Sequence, residues 1–146
     1  ALPEARVLDA FAGSGALGLE ALSRGAAHAV FMESDRAALD AIRANVAALK
    51  EDARAAVLRA DATHPPRARE AATLLLMDPP YGKGLAEPAL AALADAGWLA
   101  PDALTVVELG ARDSFAPPPN FEAVDERRIG DGRLVFLRFR AAPAPG

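Results

Sequence analysis

The run Leu74-Leu75-Leu76-Met77 passes without a polar residue into Asp78-Pro79-Pro80-Tyr81. A strand that is apolar at every position has both faces covered, as in a parallel sheet flanked by helices. Neither proline can donate a backbone hydrogen bond, so the strand must stop there. Residues 6–11, 27–32, 54–59 and 103–109 form further short apolar runs. Helical patterns separate them. The first covers 17–22, with Leu17, Leu19, Ala21 and Leu22 as a broad apolar surface, and Arg24-Gly25 ends it. In the second, Ser34 or Asp35 caps a helix whose Leu39, Ile42, Val46 and Leu49 recur at helical spacing. The third, 87–96, has Pro88 in its first turn and presents Leu90 and Leu93. Residues 63–72 read as a Pro-broken connection with one or two helical turns. Segments 121–129 and 133–139 are joined by the hairpin signal Gly130-Asp131-Gly132. The expectation is an α/β fold: a doubly wound, Rossmann-like, mostly parallel seven-stranded sheet with an antiparallel C-terminal hairpin at its edge. One domain spans 1–140, and the Pro/Ala stretch 141–146 is expected to be a disordered tail.

Composition narrows the function. The 146 residues carry a net charge of −4, whereas chains that hold nucleic acid mainly by neutralising phosphates are usually basic. There is no cysteine, which excludes disulfides and thiolate metal sites. No apolar run reaches the roughly 18 residues of a membrane helix, and the start does not read as a signal peptide. A cytoplasmic setting is the expectation.

Gly13-Ser14-Gly15-Ala16-Leu17-Gly18 fits G-x-G-x-x-G between a strand and a helix. Such glycines let a ligand approach the backbone, and the helix start offers free N–H groups. Glu33 lies 20 residues beyond Gly13, at the end of the second apolar run, where an acid takes ribose hydroxyls. A nucleoside cofactor fits this pattern better than a turn that only packs. Asp9 chooses between cofactors. An acid beside the glycine turn repels a dinucleotide's pyrophosphate but attracts a cationic amino group. S-adenosylmethionine has adenosine at one end and an amino acid at the other. Alternatively, Asp9 accepts N–H bonds from the glycine loop, and the two roles are compatible.

Asp9-Ala10-Phe11-Ala12-Gly13-Ser14-Gly15 and Asp78-Pro79-Pro80-Tyr81, in this order, resemble the first and catalytic motifs of class I S-adenosylmethionine-dependent amino-methyltransferases. With residues 18–26 and Phe31-Met32-Glu33-Ser34-Asp35, the chain is similar to the family that methylates the guanine N2 amine of 16S ribosomal RNA, the small-subunit methyltransferase D type. The resemblance implies catalytic roles for Asp78, Pro79 and Tyr81. It implies cofactor contacts at Asp9, Phe11, Gly13, Ser14, Gly15, Glu33, Ser34, Asp61, Ala62 and Asp78, with Asp61-Ala62 beside the adenine. It implies S-adenosyl-L-methionine as cofactor, no metal, a monomer, and the ribosomal RNA of the small subunit as partner. It also implies a basic segment before the first strand, and that segment is expected to be missing here, since the chain starts at Ala1.

Alternatives keep part of this reading. Adenine N6 in DNA or RNA is a second acceptor; a glutamine amide is disfavoured because those enzymes usually place Asn where Asp78 stands. A cofactor-binding module without catalysis tends to lose the acid or the aromatic of the fourth-strand motif, and a nicotinamide dehydrogenase fits Asp9 worst. Lys83 reads equally as a phosphate contact or a solvated loop lysine. Arg127, Arg128 and Arg133 face RNA or form an exposed strand face. His28 and His64 receive no role, and Trp98 caps the core after its helix.

Overall fold

The computed structural model describes residues 2–140, so the expected tail at 141–146 lies outside the described residues. The strands are β1 (Arg6–Ala10), β2 (His28–Glu33), β3 (Ala55–Arg59), β4 (Ala72–Met77), β5 (Leu99–Gly110), β6 (Phe121–Ile129) and β7 (Gly132–Phe139). The helices are α1 (Ala16–Ser23), α2 (Arg36–Ala48) and α3 (Ala86–Asp95). One sheet contains all seven strands in the order β3-β2-β1-β4-β5-β7-β6. β1 to β5 run parallel, and β7 is antiparallel to both β5 and β6. The doubly wound sheet with an antiparallel hairpin edge is therefore as expected.

Alternation along the strands divides the core into two layers. Val7, Ala29 and Phe31 pack with Leu19, Leu22, Ile42 and Val46 of α1 and α2. Leu8, Ala10, Met32, Leu75 and Met77 pack with Leu90 and Leu93 of α3 on the other face. Burying each such large side chain is worth about 1.5–3 kcal/mol, so the central strands are the best fixed part of the sheet. Edge strand β6 is exposed at every position after Phe121 and carries Glu122, Asp125, Glu126, Arg127 and Arg128. Charges along an open edge discourage pairing with another chain.

Four local expectations are corrected. Leu49 follows the end of α2 as its C-cap and is 61% exposed, because the helix stops one residue before the periodic pattern does. Leu17, in the first turn of α1, is 44% exposed, and the buried positions there are Gly18, Leu19, Ala21 and Leu22. The connection 63–72 contains turns and bends but no helical turn before β4 begins. Its anchor is Trp98, whose indole Nε1–H donates to the Pro66 carbonyl at 2.7 Å. β5 also begins four residues earlier than expected, with a register shift against β4 and left-handed backbone at Asp102 (φ 64°). Among the described residues, no helix is long and apolar enough to cross a membrane.

Candidate active site

Parallel pairing aligns the carboxyl ends of β1, β2 and β4. Asp9 pairs with Phe31 and Leu76, and Ala10 with Met32 and Met77. The residues that follow these strands therefore converge at one edge, where ligands of open α/β sheets bind.

The turn after β1 is tightly specified. Phe11 takes left-handed backbone (φ 59°), unusual for an aromatic residue and strained by about 1–3 kcal/mol. Gly15 (φ 84°) is the N-cap of α1. Gly18 serves packing: a Cβ there would lie 2.4 Å from Cε1 of Phe31. The Asp9 carboxylate, 1% exposed, sits beneath the turn and accepts the Gly18 N–H at 2.9 Å. Burial pushes its pKa up to about 7; the Gly18 N–H opposes this, and the charges of Asp78 and Glu33 add to it.

Glu33 ties β2 to the same turn. Its Oε1 accepts the Gly13 N–H at 2.8 Å, while Oε2 accepts those of Ser34 at 3.1 Å and Asp35 at 2.9 Å. Asp35 then caps α2 by accepting the Ala38 N–H at 2.9 Å. A carboxylate has about four acceptor sites, so Glu33 keeps capacity for a ligand hydroxyl.

Asp61 follows β3 and accepts from both the N–H and the hydroxyl of Thr63, at 2.8 and 2.7 Å. The Thr63 hydroxyl and then the Thr63 N–H hold its carboxyl below the ordinary range.

At the end of β4, Asp78 is exposed, Pro79 buried and Tyr81 56% exposed. The Tyr81 hydroxyl donates to Oε2 of Glu108 at 3.5 Å. Partial burial, followed by the neighbouring Glu108 carboxylate, raises the Asp78 pKa to about 6.

These tips enclose one cleft of about 590 Å³. Of the expected site residues, Phe11, Gly13, Glu33, Ser34, Asp61, Asp78, Pro79 and Tyr81 line it. Asp9, Ser14, Gly15 and Ala62 do not: Asp9 and Ala62 are buried, Gly15 faces Ile42 and Phe31, and the Ser14 carbonyl accepts from Asn45. Pro80 lines the cleft as part of the Asp78-Pro79-Pro80-Tyr81 motif, and Thr63, Leu85 and Glu108 line it without having been singled out in the sequence. Only Glu108 had a visible signal, an acid near the end of the fifth apolar run, like Glu33 after the second.

The cleft suits a cationic ligand that approaches the backbone closely. No atom lies within 4 Å of where a Gly13 Cβ would project, so the turn is open to a ligand. Four acids line the cleft and, among the described residues, no lysine or arginine does. That balance favours a cationic ligand over a pyrophosphate. No described group of His, Asp and Glu side chains is arranged to hold a metal ion. Of the basic residues near the hairpin, Arg127 pairs with Asp125 and lies over the Phe136 ring and Arg133 pairs with Glu126, whereas Arg128 is exposed and in no ion pair among the described residues.

Residues 1–138 match the protein family described as Conserved hypothetical protein 95. Over 138 residues the chain is 44% identical to Ribosomal RNA small subunit methyltransferase D of Escherichia coli K12, covering 94% of this chain and 69% of that protein. Among solved structures it resembles a protein from Haemophilus influenzae described as a candidate methylase, with TM-score 0.84 and 30% identity over 96% of this chain and 89% of that one. A candidate methyltransferase from Escherichia coli superposes with TM-score 0.82 and 36% identity, over 97% of this chain and 78% of that one.

Proposed function

The chain belongs to the small-subunit ribosomal RNA methyltransferase D family, and on that premise we propose that it transfers a methyl group from S-adenosylmethionine to the exocyclic N2 amine of a guanine in 16S ribosomal RNA. The observation that carries this reading is the single cleft joining the Gly13–Glu33 side to Asp78, Pro79 and Tyr81.

Phe11, Gly13, Glu33, Ser34 and Asp61 would hold the cofactor, with Glu33 accepting from its ribose hydroxyls and Asp61 from the adenine amine. When bound, S-adenosylmethionine supplies an electrophilic sulfonium methyl group. The protein's task is then mainly to align an acceptor with it.

A guanine amine is a poor nucleophile because its lone pair is delocalised into the ring. The Asp78 carboxylate and the Pro79 carbonyl accept its two N–H bonds and favour a more pyramidal nitrogen. Tyr81, with its exposed ring, stacks on a base that has left its own stack, which is worth roughly 1–3 kcal/mol. With its pKa at about 6, Asp78 is mostly ionised at neutral pH. It can therefore accept first the N–H bond and then the proton the nitrogen sheds. Acidification through that value removes the acceptor, so transfer should slow as pH falls below about 6.

The test uses small subunits from a strain lacking the endogenous enzyme and S-adenosylmethionine with a labelled methyl. Digestion should recover the label as N2-methylguanosine. Label on another nucleoside, or none, would reject the proposal.

A further inference from the structure

The catalytic pairing above leaves Glu108 unused. Register places it near Asp78: Met77 pairs with Val107, and the residues that come next are Asp78, one past the end of β4, and Glu108, inside β5. Both line the cleft. The polar side-chain groups against Glu108 are the Tyr81 hydroxyl, at 3.5 Å on Oε2, and the Asp78 carboxyl, which hydrogen-bonds to it when protonated. Among the described residues no lysine or arginine is within salt-bridge distance of it. The pKa of Asp78 responds to it, which agrees with the two carboxyl groups being close. Two adjacent acids that lack a cation and face an open cleft suit a ligand edge rich in N–H donors.

The geometry points to Glu108 as the residue that selects guanine, by accepting the base's N1–H while Asp78 holds the adjacent N2 amine. This rests on the guanine N2 reading above. Guanine's pairing edge presents N1–H beside the N2 amine, a continuous row of donors. Adenine presents its amine beside a bare N1 lone pair, which would meet the Glu108 carboxylate acceptor to acceptor. Unmatched polar groups of this kind are what makes a site reject a close analogue.

2-Aminopurine isolates the contact, because it keeps the N2 amine but has a bare N1. Small subunits are reconstituted on 16S ribosomal RNA carrying guanosine or 2-aminopurine riboside at the methylated position. The kcat/KM ratio for the two bases is then measured for wild-type protein, Glu108→Gln and Tyr81→Phe. Wild type should prefer guanosine by roughly 10–200-fold. Glu108→Gln should lower that preference at least about tenfold, since its amide N–H can donate to the bare N1. Loss of the guanine O6 is common to all three proteins and cancels. Tyr81→Phe should keep the wild-type ratio, and the S-adenosylmethionine Kd of Glu108→Gln should stay within about twofold of wild type.

An unchanged ratio in Glu108→Gln overturns the assignment, as does an equal shift in Tyr81→Phe, which would make Glu108 only a support for the tyrosine. A weakened cofactor Kd with an unchanged ratio also overturns it, assigning the carboxylate to the cofactor. Wild-type methylation at N2 with any of these results leaves the guanine reading standing. Methylation elsewhere removes both.

Discussion

The acids at the two halves of the cleft are used differently. On the β1–β2 side, Asp9 is buried under the turn and accepts Gly18, and Glu33 accepts three backbone N–H groups. On the β4–β5 side, no backbone N–H among the described residues donates to Asp78 or Glu108, and both lie open to the cleft. The first pair shapes a binding surface through the backbone. The second retains its acceptor capacity for whatever enters. On the proposed function the first half grips the cofactor and the second does the chemistry, and mutations should separate them.

The largest expected effect is on the chemical half. Asp78→Ala should lower kcat for methyl transfer by roughly 10²–10³-fold, the usual result of losing a group aimed at the reacting centre, while the cofactor Kd stays close to wild type. Equal turnover in single-turnover assays would break the comparison.

Next is Asp9, tested by stability against pH. Its folded pKa of about 7 exceeds the ordinary 3.8, so the folded state binds more protons between those values. Stability should therefore fall as pH rises from about 4 to about 7 and level off above. The total amounts to on the order of 4 kcal/mol at roughly 1.4 kcal/mol per pKa unit. Asp9→Asn, whose amide oxygen can still accept the Gly18 N–H, should flatten that slope in urea titrations. The same slope in the variant would remove Asp9 as its source.

Gly18→Ala sharpens the point that the third glycine serves packing. Its Cβ would meet the Phe31 ring at 2.4 Å, so the expected loss is about 1–3 kcal/mol in chemical denaturation. Undiminished stability would mean that the ring yields freely.

The smallest effect is on the gripping half. Glu33→Ala should weaken S-adenosylmethionine binding roughly tenfold, the loss of about one charge-assisted hydrogen bond, with kcat at saturation close to wild type. Calorimetry giving an unchanged Kd would contradict the ribose role.

Much of this was legible in the sequence because its signals are local. Unbroken apolar runs identified the parallel strands, and glycines, prolines and strand-ending acids marked the tips. Glu33 and Asp78 reach the cleft because Glu33 is the last residue of β2 and Asp78 directly follows β4. What was not legible depends on neighbours. Leu49 kept the helical spacing, but only the structure shows that α2 ends at Ala48. The extra start of β5 rests on a register shift that no periodicity displays. Glu108 carried only the weak signal of an acid near the end of its run, and it takes the strand order, with β4 beside β5, to bring it into the cleft with Asp78. From the sequence Asp9 is a loop acceptor, a ligand contact or both, and the structure shows the loop contact: its carboxylate, 1% exposed, accepts the Gly18 N–H.

The division into two halves is tested most directly by a crystal structure with S-adenosylhomocysteine bound. The account predicts the nucleoside along Phe11, Gly13 and Glu33, with the sulfur directed toward Asp78. A ligand seated instead in the groove of about 530 Å³ near Arg6, Val30 and Trp98 would contradict it.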